Sequence, residues 1–239
     1  ARPRRPWLDM LPTMISLSDA GVMFRDQTAS PSSGVLIGIR DRPDAQLQET
    51  VEIDLDDAGN IALFGASGTG KTSAVLSFAA SISERAESDP VHLYAIDAAG
   101  GGLDPLLALP TVGAVAPMND DELMRRVLRQ LQSVVIERGV RFSAARANSL
   151  IAYRRATGNR EPRVVLFIDG FSSFRQATEM LGTRESPMQM LSEIMQAGRA
   201  VGVHVVLTAD RAGVLPSLLD ASVQQQLVLR LASVNDYAY

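Results

Sequence analysis

Asn60-Ile61-Ala62-Leu63-Phe64-Gly65-Ala66-Ser67-Gly68-Thr69-Gly70-Lys71-Thr72 decides how the chain must fold. A short apolar run ends abruptly in glycine, and Ala74, Val75, Phe78, Ala79 and Ile82 then recur at helical spacing. The order is strand, tight turn, then a helix over 71–86. Gly65 to Thr72 between them matches G-x-x-x-x-G-K-[ST] in full. In such a turn, successive N–H groups point inward as an anion nest, and the new helix adds its positive end there. Gly65, Ala66, Ser67, Gly68, Thr69, Gly70, Lys71 and Thr72 are therefore read as a cradle for the phosphates of ATP. Lys71 reaches the β- and γ-phosphates, and Thr72 places its hydroxyl on Mg²⁺. A glycine turn that only caps a helix is the competing reading. Of the 23 basic residues only Lys71 is Lys, which favours the cradle. A slim ammonium fits between phosphates where the planar fork of Arg does not.

Such a cradle needs an acid at the end of a neighbouring buried strand. Arg163 to Asp169 (RVVLFID) supplies one, and Asp169 is read as the Mg²⁺-holding carboxylate. The next residue is Gly170, where many hydrolysing relatives of this motif place an acid that polarises the attacking water. Loss of a positioned base typically costs ~10²–10⁴ in rate. The expectation is binding with poor turnover, unless Glu179, Glu185 or a neighbouring subunit supplies the group. Thr208 closes the strand GVHVVLT and is a candidate γ-phosphate sensor, balanced against a plain polar strand end. The catalytic set is thus Lys71, Asp169 and Thr208. Arg199, Arg211 and Arg230 are candidate arginine fingers, each weighed against an ordinary surface Arg.

Around this centre the pattern alternates. Strands are expected at 35–39, 51–55, 60–64, 91–97, 112–116, 163–169, 202–208 and 226–231, the first two as an antiparallel pair. Helices are expected at 71–86, 103–109, 120–156 with a break near Gly139 or Asn148, 187–200 and 215–219. Alternation of this kind implies an α/β fold with a mostly parallel central sheet flanked by helices, a RecA-like P-loop fold, with a small N-terminal β/linker extension. Residues 1–34, rich in Pro, Ser and Arg and carrying Trp7, read as a linker docking on a domain over 35–239.

Composition narrows the function classes. The 239 residues carry a net charge of -4, which argues against a strongly basic nucleic-acid binder. The absence of cysteine excludes disulfides and cysteine metal sites and fits a reducing compartment. No apolar run approaches the ~18 residues of a membrane span, and no signal peptide is visible. The start at Ala1 and the stop at Tyr239 suggest a piece of a longer protein, with any anchor outside it. Ten Arg between 122 and 163 form either a basic face for nucleic acid or a solvated face balanced by acids, the second being favoured. Met188, Met190 and Met195 line either an adaptable peptide groove or, more commonly, core. His92 and His204 read as structural.

With these motifs in place the chain resembles the FtsK/SpoIIIE family of hexameric P-loop motors. Within it, the resemblance is to the second or third ATPase modules of the EccC motors of type VII secretion. It runs from Trp7 to about Arg230 through PWLDMLP, IGIRDRPDAQLQE, GASGTGKT, AIDAAGGGLDPLLALPTVGAV, SLIAYRRATGN, FIDGF and RAVGVHVVLTADR. The glycine run after Asp97 and the FIDGF segment are the specific pieces. This likeness implies tandem modules facing the cytoplasm in a membrane-anchored protein, assembled as a homo-hexamer or a stacked tandem array. The later modules bind ATP, are often degenerate, and regulate the first module or engage the signal peptide of a secreted helical-hairpin (WXG100-like) substrate. Gly170 follows the degenerate pattern and counts against the alternative, a DNA-translocating ATPase, with DNA as partner.

Overall fold

The computed structural model describes residues 8–24, 34–179 and 186–237. Trp7 and Glu185, both named above, lie outside them. The chain divides into two compact units, Ala1–Asp54 and Leu55–Tyr239. The break falls later than the boundary read from sequence, because β1 (Val35–Arg42) and β2 (Leu47–Ile53) pair antiparallel as a sheet of their own. The segment before them is not wholly linker. Leu17–Phe24 forms a helix, α1, whose Asp19 N–H is capped by Ser16 Oγ at 3.0 Å.

The second unit opens with a one-turn helix, α2 (Leu55–Ala58), where a strand was expected to continue through Leu55. Then follow β3 (Ile61–Phe64), α3 (Lys71–Glu84), β4 (Val91–Asp97) and β5 (Val112–Pro117), the last preceded by a 3₁₀ turn at Asp104–Ala108. The long helical pattern resolves into α4 (Asp121–Ala144) and α5 (Leu150–Thr157). Gly139 lies inside α4. The break comes at 145–149, where Arg146 has φ +53° and Ser149 Oγ caps α5 through the Ala152 N–H. After these come β6 (Arg163–Asp169), α6 (Phe171–Glu179), α7 (Pro187–Ala197), a 3₁₀ turn at Arg199–Val201, β7 (Val203–Ala209), α8 (Ser217–Asp220) and β8 (Gln225–Val228). Helix α6 was not anticipated, although Phe171, Phe174 and Thr178 form its buried stripe.

Six strands make one parallel sheet in the order β5-β4-β6-β7-β3-β8. Strand alternation sends Val164, Leu166 and Ile168 of β6 into a core shared with α4, α5, α6 and α7. Phe167 faces the other way and meets Phe78 of α3 edge-on, ring centroids 6.2 Å apart. Both faces are therefore covered, as the continuous apolar runs required. Met190 and Met195 are buried in the core and Met188 packs against it, so they are filler and not a groove.

At the amino ends of the strands sits a polar knot. Arg163 is 5% exposed and grips both oxygens of Asp56 at 2.6 and 2.8 Å. Its Nη1 also donates to His204 Nε2 at 3.0 Å, so His204 Nδ1 carries the proton and donates to Gly59 O at 3.1 Å. Burial first, and the Arg163 charge second, push the His204 pKa down from 6.5 to about 4. Because the unfolded chain takes up this proton near 6.5 and the folded chain only near 4, stability falls as pH drops through that window. The loss should be on the order of 2–3 kcal/mol. Urea unfolding at stepped pH should show it, and His204→Gln should flatten the slope between those limits; an unchanged slope would exclude His204 as its source.

Candidate nucleotide-binding site

The carboxyl ends of β3, β6 and β7 converge on a cleft of about 620 Å³ lined chiefly by the 67–73 turn, Asp169, Gly170 and the first residues of α6. The turn after β3 is tied at its start to the strands on either side. Gly65 N–H donates to Ala209 O at 3.0 Å and Ala66 N–H to Arg230 O at 2.9 Å. Gly68 and Gly70 have φ of +74° and +98°, which turns the chain into α3. Lys71, the first residue of α3, is 13% exposed at its side chain and folds its ammonium into the turn. It donates to Gly65 O at 2.6 Å, Ala66 O at 3.2 Å and Asp210 Oδ1 at 2.9 Å.

Asp169 is completely buried and both its oxygens are engaged. Thr72 Oγ1 donates to Oδ2 at 2.6 Å, and Thr208 Oγ1 donates to Oδ1 at 2.6 Å. Each hydroxyl has one proton, so a Thr72 that donates to Asp169 keeps its lone pairs for a cation. Sheet order explains Thr208. Strand β7 lies between β3 and β6, so its penultimate residue, Thr208, stands beside Asp169. Thr208 Oγ1 also accepts from Gly170 N–H at 2.9 Å. In this arrangement Thr208 positions Asp169, and contact with a γ-phosphate would require that bond to be released.

Gly170 has φ +85°, and a Cβ there would lie 2.9 Å from Ala99 N and 3.0 Å from Ala98 C. The backbone leaving β4 fills the space a side chain would need. That loop is held by Asp97, whose carboxylate accepts the N–H groups of Ala99 at 3.2 Å, Gly100 at 3.0 Å and Leu103 at 2.8 Å. It also presses on the phosphate turn, since a Cβ at Gly102 would meet Thr72 Cγ2 at 2.6 Å.

The remaining candidates separate. Glu179 is exposed at the far end of α6, about 12 Å along its axis from Phe171, and pairs with Arg175. Arg199 donates to Asp56 O at the opposite end of the sheet, whereas Arg211 and Arg230 are exposed beside the cleft. In the Arg-rich stretch, Arg125, Arg126, Arg138, Arg141, Arg154 and Arg163 are each ion-paired, matching the balanced-face reading. Ser172, Ser173 and Asp210 line the cleft and were not singled out from sequence. Asp210 follows Thr208 by two residues, and that proximity was the available signal. Among the described residues no cluster of three His, Cys, Asp or Glu could hold a metal. The side-chain oxygens of Thr72 and Asp169 are hard donors of the kind Mg²⁺ takes alongside phosphate oxygens.

Parallel sheet, phosphate turn, strand-end Asp and an intervening strand define a RecA-like P-loop ATPase domain. The chain belongs to the FtsK/SpoIIIE family, whose model matches residues 30–238. It is 34% identical over 223 residues to the ESX-4 secretion system protein EccC4 of Mycobacterium tuberculosis, covering 90% of this chain and 18% of that protein. The cytoplasmic domain of the type VII secretion ATPase EccC of Thermomonospora curvata superposes with a TM-score of 0.82 at 25% identity, covering 98% of this chain and 28% of that one. ATPases 2 and 3 of the same EccC, in complex with a signal sequence peptide, give 0.76 at 25% identity, covering 87% and 38%. The chain spans less than a fifth of the length of the curated relatives it matches. Among the described residues no helix is long and apolar enough to cross a membrane.

Gly170→Ala should destabilise the fold by about 1–3 kcal/mol, because it combines a positive φ with backbone contact. Denaturant unfolding measures this; a neutral change would mean that the loop after β4 yields freely.

Proposed function

We propose that this chain is an ATP-binding, hydrolysis-poor regulatory module of a type VII secretion motor, coupling nucleotide and substrate binding to a neighbouring active module. The observation that carries it is the pairing of a complete phosphate cradle with Gly170. Backbone amides of the turn and Lys71 bind and orient the phosphates. Thr72 and Asp169 would hold Mg²⁺, which supplies charge neutralisation at the phosphate oxygens when bound. Thr208 keeps Asp169 aimed at Thr72. The position after Asp169 brings no acid. Asp97, its register partner on β4, spends its carboxylate on loop N–H groups, Asp210 is engaged by Lys71, and the loop after β4 fills the place a side chain at Gly170 would take.

The proposal extends to the assembly. The module acts within a membrane-anchored, cytoplasm-facing protein beside other ATPase modules and in a homo-hexamer. It meets a signal peptide of a secreted helical-hairpin substrate, as the EccC complex suggests. The alternative of a DNA translocator uses the same cradle, and one experiment separates the two.

Titration of Mg²⁺-ATP onto the purified chain should show saturable binding, with Lys71→Ala weaker by at least about tenfold. Turnover should stay negligible with or without duplex DNA. Brisk or DNA-stimulated hydrolysis would remove the regulatory reading, and unaltered binding by Lys71→Ala would remove the cradle. Gly170→Glu should not restore turnover, because the new side chain must first displace the loop at Ala98 and Ala99; a fast Gly170→Glu enzyme would show that a missing acid is the sole defect.

A further inference from the structure

Asp210 is, among the described residues, the one charged side chain lining the cleft that neither the phosphate-turn pattern nor the strand-end Asp accounts for. It follows β7, whose last residue, Ala209, is tied through its carbonyl to Gly65 N–H at 3.0 Å. That tie fixes where the next side chain stands. Asp210 Oδ1 lies 2.9 Å from Lys71 Nζ, and the carboxylate is otherwise 63% exposed to the cleft mouth. The Lys71 ammonium has three N–H donors, and Gly65 O, Ala66 O and Asp210 Oδ1 supply three acceptors. Its hydrogen-bonding capacity is therefore filled by the protein itself.

The charge balance points the same way. Among the described residues lining the cleft, the charged side chains are Lys71, Asp169 and Asp210, one cation against two carboxylates. Asp169 is buried and bonded to two hydroxyls, so it cannot leave. Asp210 is exposed and free to swing into water at little cost, because an exposed carboxylate is well solvated. A triphosphate that approaches Lys71 meets a like charge already in its place.

We infer that Asp210 is a resident counter-ion of Lys71, and that phosphate binds by displacing its carboxylate from the ammonium. This rests on the nucleotide reading above and adds to it an affinity-setting residue. Asp210 acts as a competitor built into the chain: it holds Lys71 in the turn in the absence of a polyanion and lowers affinity for any that arrives. Breaking the pair costs every polyphosphate that reaches Lys71 the same factor, so the penalty is common to ATP and ADP.

The test is a double-mutant cycle read by titration of Mg²⁺-ATP and Mg²⁺-ADP onto the purified chain. Asp210→Asn keeps the shape and removes the charge. It should bind both nucleotides about three- to tenfold more tightly than the parent, by a similar factor for each. In the Lys71→Met background the gain from Asp210→Asn should shrink, because no ammonium remains to be freed. A parent that binds while Asp210→Asn binds equally or more weakly overturns the inference and leaves the cradle standing; weaker binding would make Asp210 a metal or phosphate partner. An equal gain with and without Lys71 reduces Asp210 to a distant repelling charge and also overturns it. If neither the parent nor Asp210→Asn binds nucleotide, the cradle reading itself fails, and the inference with it.

Discussion

The buried carboxylate of Asp169 is the constraint around which the phosphate end is built. A fully buried anion is costly unless its lone pairs are used, and here two hydroxyls use them. Those hydroxyls come from Thr72 on α3 and Thr208 on β7. One charge therefore ties three elements that are remote in sequence. The strand order is part of the device. With β7 lying between β3 and β6, a carboxylate on β6 is two strands from the phosphate turn, and a short polar residue on the middle strand must support it.

Much of this was legible in the sequence, for identifiable reasons. Periodicity and β-branching located the eight strands. Gly65 to Thr72 located the turn between β3 and α3, because glycine spacing and a single Lys are local signals. The RVVLFID run announced a strand buried on both faces, and its last residue is where the acid sits. Other features were hidden because they are not local. The insertion of β7 between β3 and β6 leaves no trace in the order of residues. Neither does the meeting of Lys71 with Asp210, 139 positions apart in the chain. Helix α6 went unread because a nine-residue segment with three buried positions has too little pattern to exceed the noise. The break in the long helix fell at the Asn148 alternative and not at Gly139, since an exposed glycine in a well-packed helix is tolerated while the Ser149 cap starts a new one.

Gly170 carries more information in the structure than in the sequence. Read along the chain, it is an acid that is missing. In three dimensions it is a contact, because the loop capped by Asp97 rests against it. The two readings differ in what evolution would have to reverse. A missing side chain can return by one substitution, whereas a filled space needs the loop after β4 to move as well, and that loop also abuts Thr72 through Gly102.

The polar knot of Arg163, Asp56 and His204 lies at the other end of the same strands. Strand β6 thus begins in one network at Arg163 and ends in the other at Asp169, with the buried residues 164–168 between them. Anchoring and ligand chemistry are separated by the length of a strand. A lineage bearing this domain can let the chemistry of its cleft diverge while the distant clasp keeps the scaffold intact.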